Sequence, residues 1–249
     1  MVKDRKMNYN DFASVYAETR QALPWVLSSL ASAISSLPNE STIVEIGCGT
    51  GDYIIALSEK CRGNHEFFGF DLSPEMLKIA RERGKGKVEF RTGNANERFP
   101  LPDDLANMLF CMNVVHHLTD LDTFFEESYR VLKDNGILVI VTESKEDIET
   151  CGMIKYFQEA KEIGLKRFPP IGSLTDEANQ AGFREFVSGK TSGYVQIDQK
   201  FVDRLARKCY STFWLMSDDA HRKGMGRLKQ AMSKGEKWFS TFTVLRFGK

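Results

Sequence analysis

Cysteine is sparse in this chain and forms no pairs. Its five cysteines (Cys48, Cys61, Cys111, Cys151, Cys209) are scattered, with no C-x-x-C spacing. That argues against a zinc site and a disulfide framework and fits a reducing, cytoplasmic setting. Long apolar runs are missing too. The stretch Leu23 to Ile34 is too short and too rich in serine to span a bilayer, so no membrane partner is expected. Near the start, Lys3, Asp4, Arg5 and Lys6 stand where a secretory signal needs apolar residues. No charge excess exists: 34 Lys and Arg balance 34 Asp and Glu, which disfavours a nucleic-acid partner. Repeats and low-complexity segments are absent as well.

What is present suits a globular protein. Hydrophobic residues make up 42% of the chain and charged ones 27%, and 249 residues suit one α/β domain with an appended cap. Tyr9, Phe12, Val15 and Tyr16, then Val26, Leu27, Leu30 and Ile34, recur at helical spacing. Short apolar strands follow at 42–46, 65–70, 88–91, 106–112 and 137–142, alternating with helical stretches. Strands that are apolar along their whole length, separated by helices, predict a parallel sheet buried on both faces. Ser173 is expected to start a helix that Gly182 ends. Residues 184–188 and 239–247 are expected to add a sixth and a seventh strand. Two helices at 198–234 would cap the sheet, because their apolar stripes need a surface to lie on.

The segment Glu45-Ile-Gly47-Cys48-Gly49-Thr-Gly51 falls between the first strand and a helix. Glycines there allow a tight turn and close approach of a ligand. The spacing is G-x-G-x-G, not the G-x-G-x-x-G that brings a pyrophosphate to a helix N-terminus. The preceding acid, Glu45, suits an ammonium or sulfonium better than a pyrophosphate. Asp71, twenty residues after Gly51 at the end of the second strand, is placed to accept the hydroxyls of a ribose.

These residues, with Asp71-Leu-Ser-Pro-Glu-Met76, Gly93-Asn-Ala95, Asn113-Val-Val-His-His117 and Arg130-Val-Leu-Lys-x-x-Gly136, resemble the successive motifs of the class I S-adenosylmethionine-dependent methyltransferases. The resemblance covers residues 8–145. It implies an α/β Rossmann-like fold: a seven-stranded, mostly parallel sheet with its last strand antiparallel and helices on both faces. The expected organisation is a single domain: an N-terminal helical lid (1–37), a cofactor-binding core (38–190), a helical cap inserted before the final strand (191–237) and that strand (238–249).

The implied cofactor is S-adenosylmethionine, with S-adenosylhomocysteine as product. Glu45, Gly47, Cys48, Gly49 and Gly51 would surround its methionine portion. Asp71 would hold the ribose, Leu72 and Met76 would sandwich the adenine, and Asn94 and Ala95 would face the adenine edge. The family usually has Asp at position 94, and an amide still offers an acceptor. Asn113 and Val114 would lie by the reacting methyl group. From the lid, Tyr9, Tyr16 and Arg20 resemble residues that fold over the cofactor, and Arg20 has the fork to grip a carboxylate.

His117, beside His116, is the candidate general base, since histidine titrates near neutral pH. No D-P-P-Y or N-P-P-Y follows the fourth strand and no Pro-Cys dipeptide exists, which disfavours base, glutamine and cytosine-C5 methylation. No metal is expected. Ten Lys and Arg against four acids at 199–237 suggest an anionic small-molecule acceptor. A protein side chain is the alternative acceptor, and a non-catalytic cofactor-binding protein is the third reading.

Overall fold

A computed structural model of the chain describes residues 9–249. A 3-10 turn (Tyr9–Phe12) leads into α1 (Ala13–Thr19) and α2 (Pro24–Ser35). Then come β1 (Thr42–Ile46), α3 (Asp52–Lys60), β2 (Glu66–Asp71), α4 (Pro74–Gly84), β3 (Glu89–Thr92), β4 (Ala106–Met112), α5 (Leu121–Val131) and β5 (Leu132–Thr142). Four short helices follow: α6 (Lys145–Thr150), α7 (Gly152–Tyr156), α8 (Ala160–Arg167) and α9 (Ile171–Gln180). The chain ends with β6 (Glu185–Gln196), α10 (Gln199–Ala206), α11 (Ser211–Leu215), α12 (Asp218–Ser233) and β7 (Lys237–Gly248).

The seven strands form one sheet in the order β3-β2-β1-β4-β5-β7-β6. Strands β1 to β5 pair in parallel, and β7 runs antiparallel between β5 and β6. Every residue of β1 is buried, as a central strand covered on both faces must be. One apolar cluster packs α2 and α3 on one face, and a second packs α5 and α9 on the other. Local signals set the helix starts. Pro24 opens α2, where its missing N–H costs nothing. Ser73 caps α4 by accepting the Met76 N–H, and Asp120 caps α5 by accepting the Thr123 N–H.

Three expectations are corrected. The helices α6, α7 and α8 were not anticipated. They are short, and the span is broken by Gly152 and Pro169-Pro170, so no periodicity develops. Their Tyr156, Phe157 and Ala160 join a third apolar cluster with Phe201, Leu205, Phe213, Met225, Leu228 and Trp238. The cap is therefore built from two separate stretches of chain, not from one insertion at 191–237. Second, α9 starts at Ile171 after Pro170, and Ser173 lies inside it, with no side-chain cap bond at the helix start. Third, β6 runs on to Gln196. Its run Ser188-Gly-Lys-Thr-Ser-Gly193 carries no apolar signal, yet it pairs residue for residue with β7, from Glu185↔Gly248 to Gln196↔Lys237. Among the described residues, no helix is long and apolar enough to cross a membrane.

Candidate active site

A cavity of about 580 Å³ opens at the carboxyl ends of the parallel strands. Ligands of open α/β sheets bind at this edge, and the volume is of small-molecule size. Its floor comes from the loops after β1, β2, β3, β4 and β5. Its roof comes from α1, the turn before α2, and the cap. The lid and the cap touch: the Phe12 ring lies 4.1 Å from the Trp214 ring, and Glu18 pairs with Arg207 at 2.8 Å. Arg20 lies between them, its guanidinium 5.3 Å from the Tyr16 ring and 4.9 Å from the Tyr210 ring.

The glycine loop is shaped by backbone demands. Gly47, Gly49 and Gly51 all have positive φ, a region that side-chain-bearing residues avoid. Only Gly49 faces open space: a Cβ there would meet nothing nearer than Tyr16, at 3.6 Å. A Cβ on Gly47 would strike Val114 at 2.6 Å, so this glycine lets the ends of β1 and β4 come together. Gly51 does not reach the cavity; it opens α3, and a Cβ there would meet Ile55 at 2.7 Å and Phe90 at 3.3 Å.

Glu45 and Cys48 also sit behind the loop, outside the main cavity. The Glu45 carboxylate is buried and accepts the Ile54 N–H at 3.0 Å, satisfying one of the unpaired donors at the start of α3. Burial pushes its carboxyl well above the usual range. The Cys48 sulfur fills the space over Gly69, where a Cβ would lie 2.9 Å away. Both residues line a smaller pocket beside the main cavity, with Gly47, Tyr16 and Arg20.

Asp71 joins this loop to the next. One of its oxygens accepts the Gly49 N–H at 2.8 Å and the other accepts the Ser73 N–H at 2.9 Å. Burial raises the carboxyl, and the N–H groups of Ser73, Gly49 and Leu72 pull it back. Leu72 is 65% exposed beside it, an apolar side chain left uncovered at the rim, while Met76 lines the wall and is buried. Asn94 and Ala95 line the same end, and the Asn94 carboxamide oxygen already accepts the Asn96 N–H at 3.0 Å.

At the end of β4, Asn113 takes a left-handed φ of 54°, and its buried side-chain oxygen has no partner. Val114, His116 and His117 follow along the wall. The His116 ring stacks 4.1 Å from Phe168, and its Nδ1 is buried without a partner. His117 is open to the cavity, yet burial by the surrounding protein and then Arg167 hold it down at about 4. Both imidazoles are neutral at pH 7. The side chain of Tyr9 lies outside the described residues.

Sequence reasoning missed Trp25, Glu143, Trp238 and Phe242, which line the cavity together with Tyr194, Arg204 and Tyr210. Glu143 had one usable signal, an acid directly after the apolar fifth strand. Trp25 lies in the first turn of α2 and Trp238 and Phe242 on β7, where no motif marks them.

A Rossmann-like sheet with a glycine loop, an acid at the end of its second strand and a roofed cavity defines an α/β protein built to bind a nucleoside-bearing cofactor. Residues 44–140 match the Methyltransferase domain family. A demethylmenaquinone methyltransferase of Listeria monocytogenes is 31% identical over 166 residues, covering 57% of this chain and 70% of that protein. An uncharacterized methyltransferase of Bacillus subtilis, YcgJ, is 33% identical over 106 residues, covering 41% of this chain and 40% of that one. The chain spans 40, 60 and 50% of the length of the first three curated relatives it matches. Among solved structures, an Anabaena variabilis protein described as a methyltransferase from an antibiotic biosynthesis pathway superposes with a TM-score of 0.74. That match has 21% identity and covers 92% of this chain and 99% of the other, which speaks to the fold. The chain belongs to the class I S-adenosylmethionine-dependent methyltransferases.

The residues present fit that family's cofactor. Asp71 offers acceptors to a ribose, and Leu72 and Met76 offer apolar surface to an adenine. The orphaned Asn113 oxygen offers an acceptor to an ammonium. Arg20, with no acidic partner among the described residues, offers its guanidinium to a carboxylate.

Proposed function

We propose that this protein transfers a methyl group from S-adenosylmethionine to a small-molecule nucleophile. The observation that carries the reading is the continuity of the cavity. One space runs from Gly49 and Asp71 past Asn113 to the aromatic walls of Trp25, Tyr194, Trp238 and Phe242, under a roof of lid and cap. A narrow roofed space suits a metabolite. The Listeria relative is named for demethylmenaquinone, a small molecule, which agrees with this class of acceptor.

When bound, S-adenosylmethionine supplies an activated methyl group on a sulfonium. The work of this chain is then positional. Asp71, Arg20 and Asn113 fix the donor's orientation, and the aromatic walls hold the acceptor in line and exclude water. Positioning of this kind supplies about 7–11 kcal/mol of barrier lowering.

A protein acceptor has less support. Four of the ten basic residues of the cap are already paired, Lys208 with Asp218, Arg222 and Lys223 with Asp219, and Arg207 with Glu18. The deciding experiment offers labelled S-adenosylmethionine to an extract split by ultrafiltration. Label is expected in the low-mass fraction. Label in the protein fraction alone contradicts the small-molecule reading, and no transfer to either favours a non-catalytic binding protein.

A further inference from the structure

We propose that Glu143 holds the acceptor's nucleophilic hydroxyl and takes its proton, so that the acceptor is a phenol-like molecule, a hydroxyl carried on a ring. The inference rests on the methyl-transfer reading above.

Glu143 follows β5 directly and lines the cavity, half-buried. No hydrogen bond or ion pair reaches its carboxyl group from any described residue. Asp147, one helical turn on, has the opposite surroundings. It is 2% exposed and accepts from the Ser144 N–H at 3.0 Å, from Lys190 at 2.6 Å and from the hydroxyls of Thr241 and Thr243. These donors outweigh burial and hold Asp147 below the usual carboxylate range.

Burial first, and then Asp147, push Glu143 up to about 7, against the pull of Arg20 and Arg167. Two neighbouring acids whose surroundings drive them apart mark a division of labour, one structural and one chemical. A carboxyl group left without a donor in a half-buried wall is costly unless an occupant supplies one.

The wall decides which donor. Its charged residues are Arg20, Arg204 and Lys208, the last paired with Asp218, against Asp71 and Glu143. Arg167 on α8 also acts on Glu143, while Tyr210 and Cys151 are the remaining titratable groups coupled to it. The positive charge of Arg20 and Arg167, which reaches Glu143, disfavours an ammonium acceptor there and stabilises an oxyanion as it forms. The aromatic side chains Trp25, Tyr194, Trp238 and Phe242 suit a flat ring.

In the step, the acceptor's O–H bond breaks and the proton moves to a Glu143 oxygen. The bonding pair stays on the acceptor oxygen, which bonds to the methyl carbon as the C–S bond breaks and its pair returns to sulfur. Glu143 then releases the proton to solvent. A base poised near working pH suits this role better than His117, held at about 4.

The test measures binding of 2-naphthol, 2-naphthylamine and 2-methoxynaphthalene by fluorescence titration, with S-adenosylhomocysteine saturating. Wild type and Glu143→Gln are compared, and cofactor-product binding is first measured in both by calorimetry. Wild type should favour 2-naphthol over 2-methoxynaphthalene by about ten-fold or more, the size of one charge-assisted hydrogen bond. Glu143→Gln should lose that preference while binding S-adenosylhomocysteine normally. It should melt no lower than wild type, because no protein hydrogen bond is removed. Equal affinities, no binding of any of the three, or a preference for the amine overturns the inference alone. Failure of wild type to bind S-adenosylhomocysteine overturns the methyl-transfer reading and this inference with it.

Discussion

The glycine loop makes a prediction that separates binding from folding. Gly49 and Gly51 are two residues apart in one motif, and both have positive φ, 52° and 79°. Replacing either by Ala forces a side chain into the left-handed region, at about 1–2 kcal/mol. Their surroundings then differ. The Gly49→Ala methyl enters the cavity, 3.6 Å from Tyr16. The Gly51→Ala methyl would lie 2.7 Å from Ile55 and 3.3 Å from Phe90, and overpacking adds about 1–3 kcal/mol. Gly51→Ala should therefore cost about 2–5 kcal/mol of stability in total. For a chain of this size that is roughly 4–20 °C in Tm, against roughly 2–8 °C for Gly49→Ala. Affinity should show the reverse order. Below its own Tm, Gly51→Ala should bind S-adenosylhomocysteine close to wild type, and Gly49→Ala at least about ten-fold more weakly, the equivalent of about 1.4 kcal/mol. Thermal melts and calorimetric titrations on both variants read the two quantities. If Gly51→Ala loses affinity as severely as Gly49→Ala while keeping its Tm, the division of roles within the loop is wrong.

Asp71→Asn sets an NH2 donor against either the Gly49 or the Ser73 N–H, so it should cost about 1–3 kcal/mol of stability. Below its own Tm it should weaken S-adenosylhomocysteine binding roughly 10- to 150-fold, the loss of a charged acceptor of about 1.5–3 kcal/mol. Unchanged affinity by calorimetry would remove the ribose role. Burial first, with smaller contributions from nearby positive groups, holds His116, His117 and His221 below their ordinary values. The unfolded chain therefore binds protons at pH values where the folded chain does not. Their contribution to stability should be full above about 6.5, the unfolded value, and fall as pH drops toward the folded values. Glu45 and Glu143, raised by burial, act in the opposite sense over the same range. The check therefore compares wild type with His221→Gln. Between about pH 7 and about pH 5 the Tm of the variant should shift upward relative to wild type, and an identical pH dependence would contradict this. Phe157 is 0% exposed, with its ring 4.6 Å from Phe213. Phe157→Ala should cost about 3–5 kcal/mol by chemical denaturation and raise amide exchange in α10 and α12. Exchange unchanged there would mean that α7 is no part of the cap.

Much of the cofactor side was legible because its residues answer local demands. A strand followed by closely spaced glycines, an acid at the next strand end and a Ser-Pro-Glu helix start each leave a mark in a few consecutive residues. Strands β1 and β4 fall at the predicted bounds, since a buried parallel strand is apolar throughout. The acceptor side was less legible. Its walls gather Trp25, Glu143, Tyr194 and Phe242 from four distant stretches, and only the fold brings them together. Polar β6 is a strand because β7 lies beside it, and α7 packs its Tyr156 into the cap core, a contact no local pattern announces. Gly51 shows the opposite lesson: it stands in the motif, yet it serves the turn and the start of α3.

The central claim is that the cavity binds S-adenosylmethionine, and calorimetric titration of the full chain tests it most directly. Separate titrations with S-adenosylmethionine and S-adenosylhomocysteine should each show saturable, one-to-one binding in the micromolar range. Absence of binding for both would contradict the account, whatever the fold.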